Sequence, residues 1–579
     1  MRLEGSAHIS TTISILGGVG LFLLGMTVMT GGLKALAGSS LRTVLSKAAA
    51  TPMSGALWGA VVTLLVQSSS ATTMTTIGLV SAGLLTFPQG LGLVFGANVG
   101  TTGTGWLVAL IGVRVSLTAA ALPMIFVGAL IKLLGRGRVS AAGATLAGFA
   151  LVLFGLTTLQ QGMGGLAERL HPADLPAVLS GSGTGWWSGL VGVVALVAVG
   201  LAMTAVMQSS TAAIAVTLSA HYAGAVGLDQ ACALIIGQNI GTATSSAMAA
   251  IGASGTAKRL ALAYILFKLI AALIALVLFP LTTPLLVRAS STIDGVTLLA
   301  GYHTAYNGVG VAVLLPLIDR FTRFVERILP ERGSPLTRCL DPAALATPIA
   351  TEEAVRRTVA RALGAVCGSI DATLAAASVG GAVRAAKDAV SVPEAADALH
   401  QAQVFMSDVS GPPESDEEQR RLTSTLHALD HASRLAETTG EGAKFGTVSS
   451  GPDDVRAAQL CAEAMRCAAS IAAEVAAPLD ARYVNAPIEL RRETLGSPGD
   501  DATFDAPVKS TEEALVKLEL CAKALGDLRR SHRSATLSAV AAGALTADEA
   551  IVRVDTVRSL EALANHAWRS AAHLVGHGE

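Results

Sequence analysis

Gln67-Ser68-Ser69-Ser70-Ala71-Thr72-Thr73 sets an amide and a run of hydroxyls inside an apolar stretch that reaches from Pro52 to Leu85. Polar groups are costly in such a setting unless they bind something or one another. Thirty-one residues on stands Gly96-Ala97-Asn98-Val99-Gly100-Thr101-Thr102. The same pair recurs as Gln208-Ser209-Ser210-Thr211-Ala212 and Gly237-Gln238-Asn239-Ile240-Gly241-Thr242, each 141 residues after its counterpart. A helix that begins at the serines aims its unpaired amide N–H groups and positive end at one spot, and hydroxyls add donors there, which suits a tetrahedral oxyanion. The Asn98 and Asn239 segments offer neutral oxygens, which suit a hard monovalent cation such as sodium. An anion bound close by strengthens the hold on that cation, so the two ligands have a physical reason to bind together.

An offset shared by two polar motifs in hydrophobic sequence reads as an internal duplication of a membrane unit. Upstream, Leu21-Phe22-Leu23-Leu24-Gly25-Met26 answers Leu151-Val152-Leu153-Phe154-Gly155-Leu156 at an offset of 130. A loop between first helix and motif absorbs the difference.

The bland alternative is that small residues only let membrane helices pack closely. It fits scattered glycines such as Gly17 and Gly18, but not Gln67, Gln208, Asn98 and Asn239, which are neither small nor cheap to bury. Gly96 to Gly105 lacks the Gly-Lys-Ser/Thr of a nucleotide phosphate loop. Neither a Ser-His-Asp order nor a His-Glu-x-x-His helix is present, so the chain does not read as an enzyme. His303 is either a proton carrier or a hydrogen-bonded structural group. Lys268, deep within a span, either snorkels or pairs with a carbonyl, or else attracts an anion. Six cysteines without paired spacing read as reduced core residues, and no metal beyond sodium is expected.

The elements that must position these residues follow from composition. The chain of 579 residues is 51% hydrophobic and 14% charged, too apolar for an ordinary soluble protein. Residues 1–317 hold 13 Lys and Arg against 5 Asp and Glu, and the remainder holds 28 against 37, so a membrane part precedes a soluble, acidic one. The N-terminal apolar run is too long for a signal peptide, so residues 11–34 are read as a first crossing. Lys34, Arg42 and Lys47 then place a loop in the cytoplasm and the N-terminus outside. Pro52 to Leu85 would make a helix of about 50 Å against a hydrocarbon core of about 30 Å, so it must break, and a re-entrant hairpin with Gln67 to Ser70 at its tip is expected. The run from Pro88 is expected to cross with an unwound middle at Gly96–Gly103, and residues 115–134 to cross plainly. Three crossings per repeat, an odd number, invert the second repeat, which runs from Ala141 to about Pro280. A seventh crossing, about 295–317, carries Tyr302-His303-Thr304-Ala305-Tyr306-Asn307. The cluster Arg320, Arg323, Arg327 and Arg332 leaves the C-terminal part in the cytoplasm. From about 350 the pattern is charged, Ala-rich helix with breaks at Gly411-Pro412-Pro413 and Ser497-Pro498-Gly499-Asp500-Asp501. Leu426 to Arg434 resembles Glu561 to Arg569, which predicts two similar antiparallel units.

The doubled Gln-Ser-Ser-Ser/Thr cluster followed by Gly-x-Asn-[Val/Ile]-Gly-Thr resembles the type II sodium/phosphate cotransporter family and its bacterial relatives, over about residues 10–320. The resemblance implies sodium-coupled transport of inorganic phosphate. It assigns phosphate to Gln67, Ser68, Ser69, Ser70, Gln208, Ser209, Ser210 and Thr211. It assigns sodium to Gln67, Thr72, Asn98, Thr101, Gln208, Asn239 and Thr242. Lys268, His303 and Asn307 are further site candidates, the last two because His303-Thr304-Ala305-Tyr306-Asn307 resembles a His-Thr-x-Phe-Asn element of the family. Two departures bear on substrate preference and sodium stoichiometry: Thr211 replaces a third serine, and Lys268 stands where many members carry Asn. The C-terminal part resembles the PhoU-like helical domain, although its Glu-x-x-x-Asp metal spacing is not kept.

The expected fold is therefore all-α: a polytopic membrane protein with inverted repeats, re-entrant hairpins and unwound helices, plus a cytoplasmic PhoU-like helical domain. The divisions are repeat 1 over 1–140, repeat 2 and the final crossing over 141–320, a linker over 321–349 and the helical domain over 350–579. The expected activity is sodium-coupled phosphate symport at a midplane site formed by the two tips, in the inner (cytoplasmic) membrane. A phosphate exporter and a phosphate-sensing receptor are the alternatives. Inorganic phosphate, sodium ions and the lipid bilayer are the expected partners, with a homodimer through either part as a further option. Neither nucleic acid nor an organic cofactor is expected.

Overall fold

The computed structural model describes residues 2–48, 50–112, 118–178, 186–251, 253–330, 334–379, 390–409, 415–440, 451–477 and 509–576. The breaks expected at 411–413 and 497–501, and Arg332, lie outside them. Among the described residues the chain is helical without strands. It divides into two compact units, residues 1–77 with 87–331, and residues 78–86 with 332–579.

The first unit holds α1 (Arg2–Ala48), α2 (Pro52–Val66), the start of α3 (Ser69–Ser81), α4 (Phe87–Gly100), α5 (Gly103–Leu107), α6 (Thr118–Leu134) and α7 (Arg138–Ala167). It continues with α8 (Trp186–Met207), α9 (Ser210–Tyr222), α10 (Leu228–Ala250), α11 (Gly255–Ala289), α12 (Gly295–Leu314) and α13 (Ile318–Ile328). By length and composition, helices at Ser10–Ala37, Phe87–Leu110, Arg138–Ala167, Trp186–Met207 and Gly255–Ala289 suffice to cross a membrane. Pro280 and Pro284 lie inside α11 rather than ending it at Pro280, as neighbouring helices allow in apolar surroundings.

Small residues set the packing. A Cβ at Gly25 would lie 2.5 Å from the Val152 amide nitrogen, and one at Gly155 2.5 Å from that of Phe22. Contacts that climb α1 while descending α7 make this pair antiparallel. The hairpin helices instead run parallel to the helices after them: a Cβ at Gly96 would meet the Ala56 carbonyl at 1.8 Å, and one at Gly237 the Val197 carbonyl at 1.9 Å. Both partners in the second contact are 141 residues beyond those in the first.

The unwound crossing is realised once. In the first repeat the chain leaves helix at Thr101–Thr102, between α4 and α5, whereas α10 is continuous through Gly241 and Thr242. Gly103 and Gly105 weaken helix at the break, and their counterparts 141 residues on are Thr244 and Ser246, which do so less. Asn98 and Asn239 both stand in helical turns, so their own segments do not supply a run of free carbonyls.

The second unit is a helical bundle of α14 (Pro348–Val379), α15 (Val392–Ser407), α16 (Asp416–Gly440), α17 (Pro452–Ala476), α18 (Lys509–Ala541) and α19 (Ala547–Leu574). Pro348–Ala377 is apolar enough to cross a membrane, but Val359, Leu363, Val366 and Ile370 are packed in this bundle's core, so its hydropathy is a core signal. Buried Glu353 pairs with Arg357 at 2.7 Å, and Asp454 with His532 at 3.0 Å. The two matched segments lie on α16 and α19, where the ring nitrogens Nδ1 of His431 and His566 are 3.2 Å apart. Burial, then the neighbouring His566, lowers His431 to about 4. Residues 78–86 belong to this unit as well. The Ser81 hydroxyl donates to Asp341 Oδ2 at 2.8 Å, and Ala82 packs with Cys339, Ala344, Ala350 and Ala354.

Candidate functional site

Both tips close in the same strained way. Gln67 has φ 55° and Gln208 φ 51°, and among the described residues these are the non-glycine positions in the left-handed region. That conformation costs a residue with a Cβ on the order of 1 kcal/mol and persists where the surroundings hold it. Here the amide does so. Gln67 Nε2 donates back to the Leu64 carbonyl at 2.5 Å, and Oε1 accepts from the Thr104 hydroxyl at 2.7 Å. Gln208 Nε2 donates to the Ala205 carbonyl at 2.6 Å, and Oε1 accepts from the Ser245 hydroxyl at 2.9 Å. Ser68 and Ser209 follow as helix caps, accepting from the amides of Ala71 at 3.3 Å and Ala212 at 3.2 Å. Ser69 and Ser70 open α3, Ser210 and Thr211 open α9, and Ser209 Oγ lies 3.0 Å from Thr211 Oγ1.

Thr104 and Ser245 were not among the residues expected to act, yet each anchors its glutamine to the following helix. They too differ by 141, so the repeat offset could have found them. Gln238 was also missed: it is fully buried and donates to the Ala213 carbonyl at 3.0 Å and Thr217 Oγ1 at 2.7 Å.

The residues assigned to a cation separate into two sets. In the first repeat Thr72 accepts from the Thr63 hydroxyl at 2.9 Å, Asn98 Nδ2 donates to the Val94 carbonyl at 2.9 Å, and the Thr101 hydroxyl donates to the Asn98 carbonyl at 2.7 Å. Each of these bonds is local. In the second, Thr242 makes the same bond to the Asn239 carbonyl at 2.7 Å, but the Asn239 side chain reaches outward. Its Nδ2 donates to Asn307 Oδ1 at 3.0 Å and its Oδ1 accepts from Lys268 Nζ at 2.5 Å. Lys268 is 1% exposed, so it does not snorkel; it pairs with an amide carbonyl.

Helix α12 joins the two sets. Asn307 reaches α10, while the Thr304 hydroxyl donates to Thr102 Oγ1 at 3.0 Å and accepts from Trp106 Nε1 at 2.9 Å, beside the break in the first repeat. His303 is buried, its carbonyl accepts from Asn307 Nδ2 at 2.9 Å, and its Nδ1 has no partner among the described residues. The arrangement offers two capped helix starts and a neutral polar seam carrying one ammonium.

Known proteins resemble this arrangement's sequence. Residues 21–161 and 191–299 match the Na+/Pi-cotransporter family. YqeW of Bacillus subtilis (strain 168), whose name carries no activity, is 28% identical over 54% of this chain and 96% of its own length. YjbB of Escherichia coli (strain K12), named as a candidate inorganic phosphate export protein, is 30% identical over 60% of this chain but only 62% of its own length. Human sodium-dependent phosphate transport protein 2B is 32% identical over 18% of this chain and 16% of its own. No solved structure matches.

Proposed function

The membrane part of this chain belongs to the Na+/Pi-cotransporter family, and from that premise we propose that it is a secondary transporter moving inorganic phosphate with sodium. The observation that carries the reading is the pair of left-handed glutamines, each followed by a serine cap and a helix start. Phosphate is bound by the first amides of α3 and α9 with the hydroxyls of Ser68, Ser69, Ser70, Ser209, Ser210 and Thr211. Sodium is held by neutral oxygens of Gln67, Thr72, Asn98, Thr101, Gln208, Asn239 and Thr242, and phosphate alongside strengthens its hold. Inversion of the second repeat brings the two tips to one midplane site, and exposure of that site alternates between the two sides.

On this reading the protein lies in the cytoplasmic membrane with its N-terminus outside and its bundle, over 350–579, in the cytoplasm. The bundle acts as a regulator, a role supported by the assignment of residues 78–86 to it while α3 begins in the first unit at Ser69. Similarity to YjbB favours a second reading, export of phosphate by the same site.

Proteoliposomes containing the full chain test both. Labelled phosphate should accumulate under an inward sodium gradient and not under an equal potassium gradient. Accumulation indifferent to sodium overturns the coupling, and efflux alone selects the export reading.

A further inference from the structure

Lys268 is a buried cation for which phosphate binding at the tips has no use. It sits on α11 next to Phe267, which stacks on Phe95 with ring centroids 4.6 Å apart. Its ammonium donates to Asn239 Oδ1 and lies 5.4 Å from the centre of the Tyr264 ring, whose hydroxyl donates to Thr242 Oγ1 at 3.3 Å. No carboxylate among the described residues pairs with it. A charge so placed is held by an amide oxygen and a ring face, the neutral groups that would otherwise hold a bound alkali cation.

Two further observations narrow its role. Asn239 is oriented from behind by Asn307, since Nδ2 is occupied at 3.0 Å and Oδ1 is thereby turned to the ammonium. The charge is also one-sided: 141 residues earlier, Phe126-Val127 answers Phe267-Lys268, so the duplicated unit has no general need for a lysine there.

We propose that the Lys268 ammonium is a tethered cation filling the place of one coupling sodium ion beside Asn239. Both ions carry one positive charge and seek the same oxygen, and two such charges a few ångströms apart in a poorly screened interior repel strongly. The ammonium therefore excludes sodium from Asn239 Oδ1 and Thr242, and supplies the positive charge sodium would have brought toward phosphate. Ser245, which anchors Gln208, is six residues further along α10, about 9 Å on a helix, close enough for that charge to be felt at the second tip. This inference rests on the sodium-coupled reading and deepens it: the carrier works with one sodium ion fewer than its pattern of oxygens would accommodate.

The test is a gain of binding, which a merely structural lysine would not produce. Radiolabelled sodium binding to the purified full chain, without phosphate, is compared between the wild type and Lys268→Asn, with Lys268→Gln as second variant. Each variant should bind one more sodium ion per chain, and the Hill coefficient for sodium in phosphate uptake should rise by about one, with weaker uptake at low sodium restored at high sodium. Equal sodium counts and superimposable sodium curves overturn the proposal. A wild type that binds sodium but moves no phosphate overturns the transport reading instead, and the ion count still decides this one.

Discussion

The two hairpins share a tip and differ nearly everywhere else. Gln67 with Thr104 and Gln208 with Ser245 repeat one another bond for bond, at an offset of 141. Away from the tips the symmetry lapses. The return helix of the second hairpin, α9, buries Ala212, Ile214, Ala215 and Leu218 in the core of the first unit. The return helix of the first, α3, starts in that unit and ends in the other, where Ser81 bonds Asp341. Thr63 and Thr72 pair in the first repeat, whereas Thr204 faces Ala213 in the second and its hydroxyl has no partner among the described residues. Asn98 bonds within its own helix, but Asn239 is drawn to Asn307 and Lys268. Duplication thus preserved the geometry that a shared ligand demands and released positions that only one half needs.

The largest effect expected concerns what both halves keep. Valine at Gly96 or at Gly237 would drive side-chain atoms into the Ala56 or Val197 carbonyl, with no flexible neighbour to yield. Gly96→Val and Gly237→Val should each abolish the folded protein in size-exclusion chromatography. Gly301→Ala, with open space around its Cβ, should change stability by less than about 1 kcal/mol. Tolerance of valine in one repeat alone would break the comparison at its foundation.

The next prediction sharpens the asymmetry. Burial pushes the Glu353 carboxyl up, but the guanidinium groups of Arg356, Arg357 and Arg421 outweigh that and hold it down at about 2. Arg357 in turn lies against Gly83, at the foot of the first hairpin. A depressed carboxyl contributes stability that is present above its ordinary value near 4.5 and is lost as pH falls through about 2. The network should therefore survive pH 5. Glu353→Gln removes the charge and leaves buried guanidinium groups unpaired, at a cost of about 3 to 5 kcal/mol in the second unit. Hydrogen exchange should quicken at residues 78–86 and stay unchanged at the corresponding turn, residues 219–227. Equal quickening at both turns would remove the distinction between the hairpins.

The smallest effect expected tests the equivalence of the tips. Gln67→Ala and Gln208→Ala should each weaken phosphate binding by about 1 to 3 kcal/mol, roughly 5- to 150-fold, because the Thr104 or Ser245 hydroxyl loses its acceptor and the tip its brace. Because the two share one ligand on the proposed reading, the double variant should lose less than the sum in equilibrium binding. Strict additivity would mean that the tips bind independently.

Much of this was legible in the residues alone. An apolar stretch interrupted by Gln67 to Ser70 and again by Gln208 to Thr211 can only be a membrane unit with two polar tips. The helix starts fall at Ser69 and Ser210, because serine caps and chain length are local properties. The seventh helix was legible as an element, but not its part in joining the repeats through Thr304 and Asn307. Those bonds reach Thr102 and Asn239, 202 and 68 residues away, and no local pattern encodes them.

Sequence by itself settled the duplication, the apolar character of the first part and the place of each tip, since a constant offset, hydropathy and capping chemistry need no long-range contact to be read. Tertiary structure alone decided which amides brace the glutamines, that α10 stays continuous where its partner breaks, and that Pro348–Ala377 is a bundle core. It also decided that Lys268 is enclosed and bonded to Asn239 rather than reaching for an interface. A side chain's cost and role depend on what surrounds it, and for Lys268 those surroundings come from Asn239 on another helix, 29 residues away.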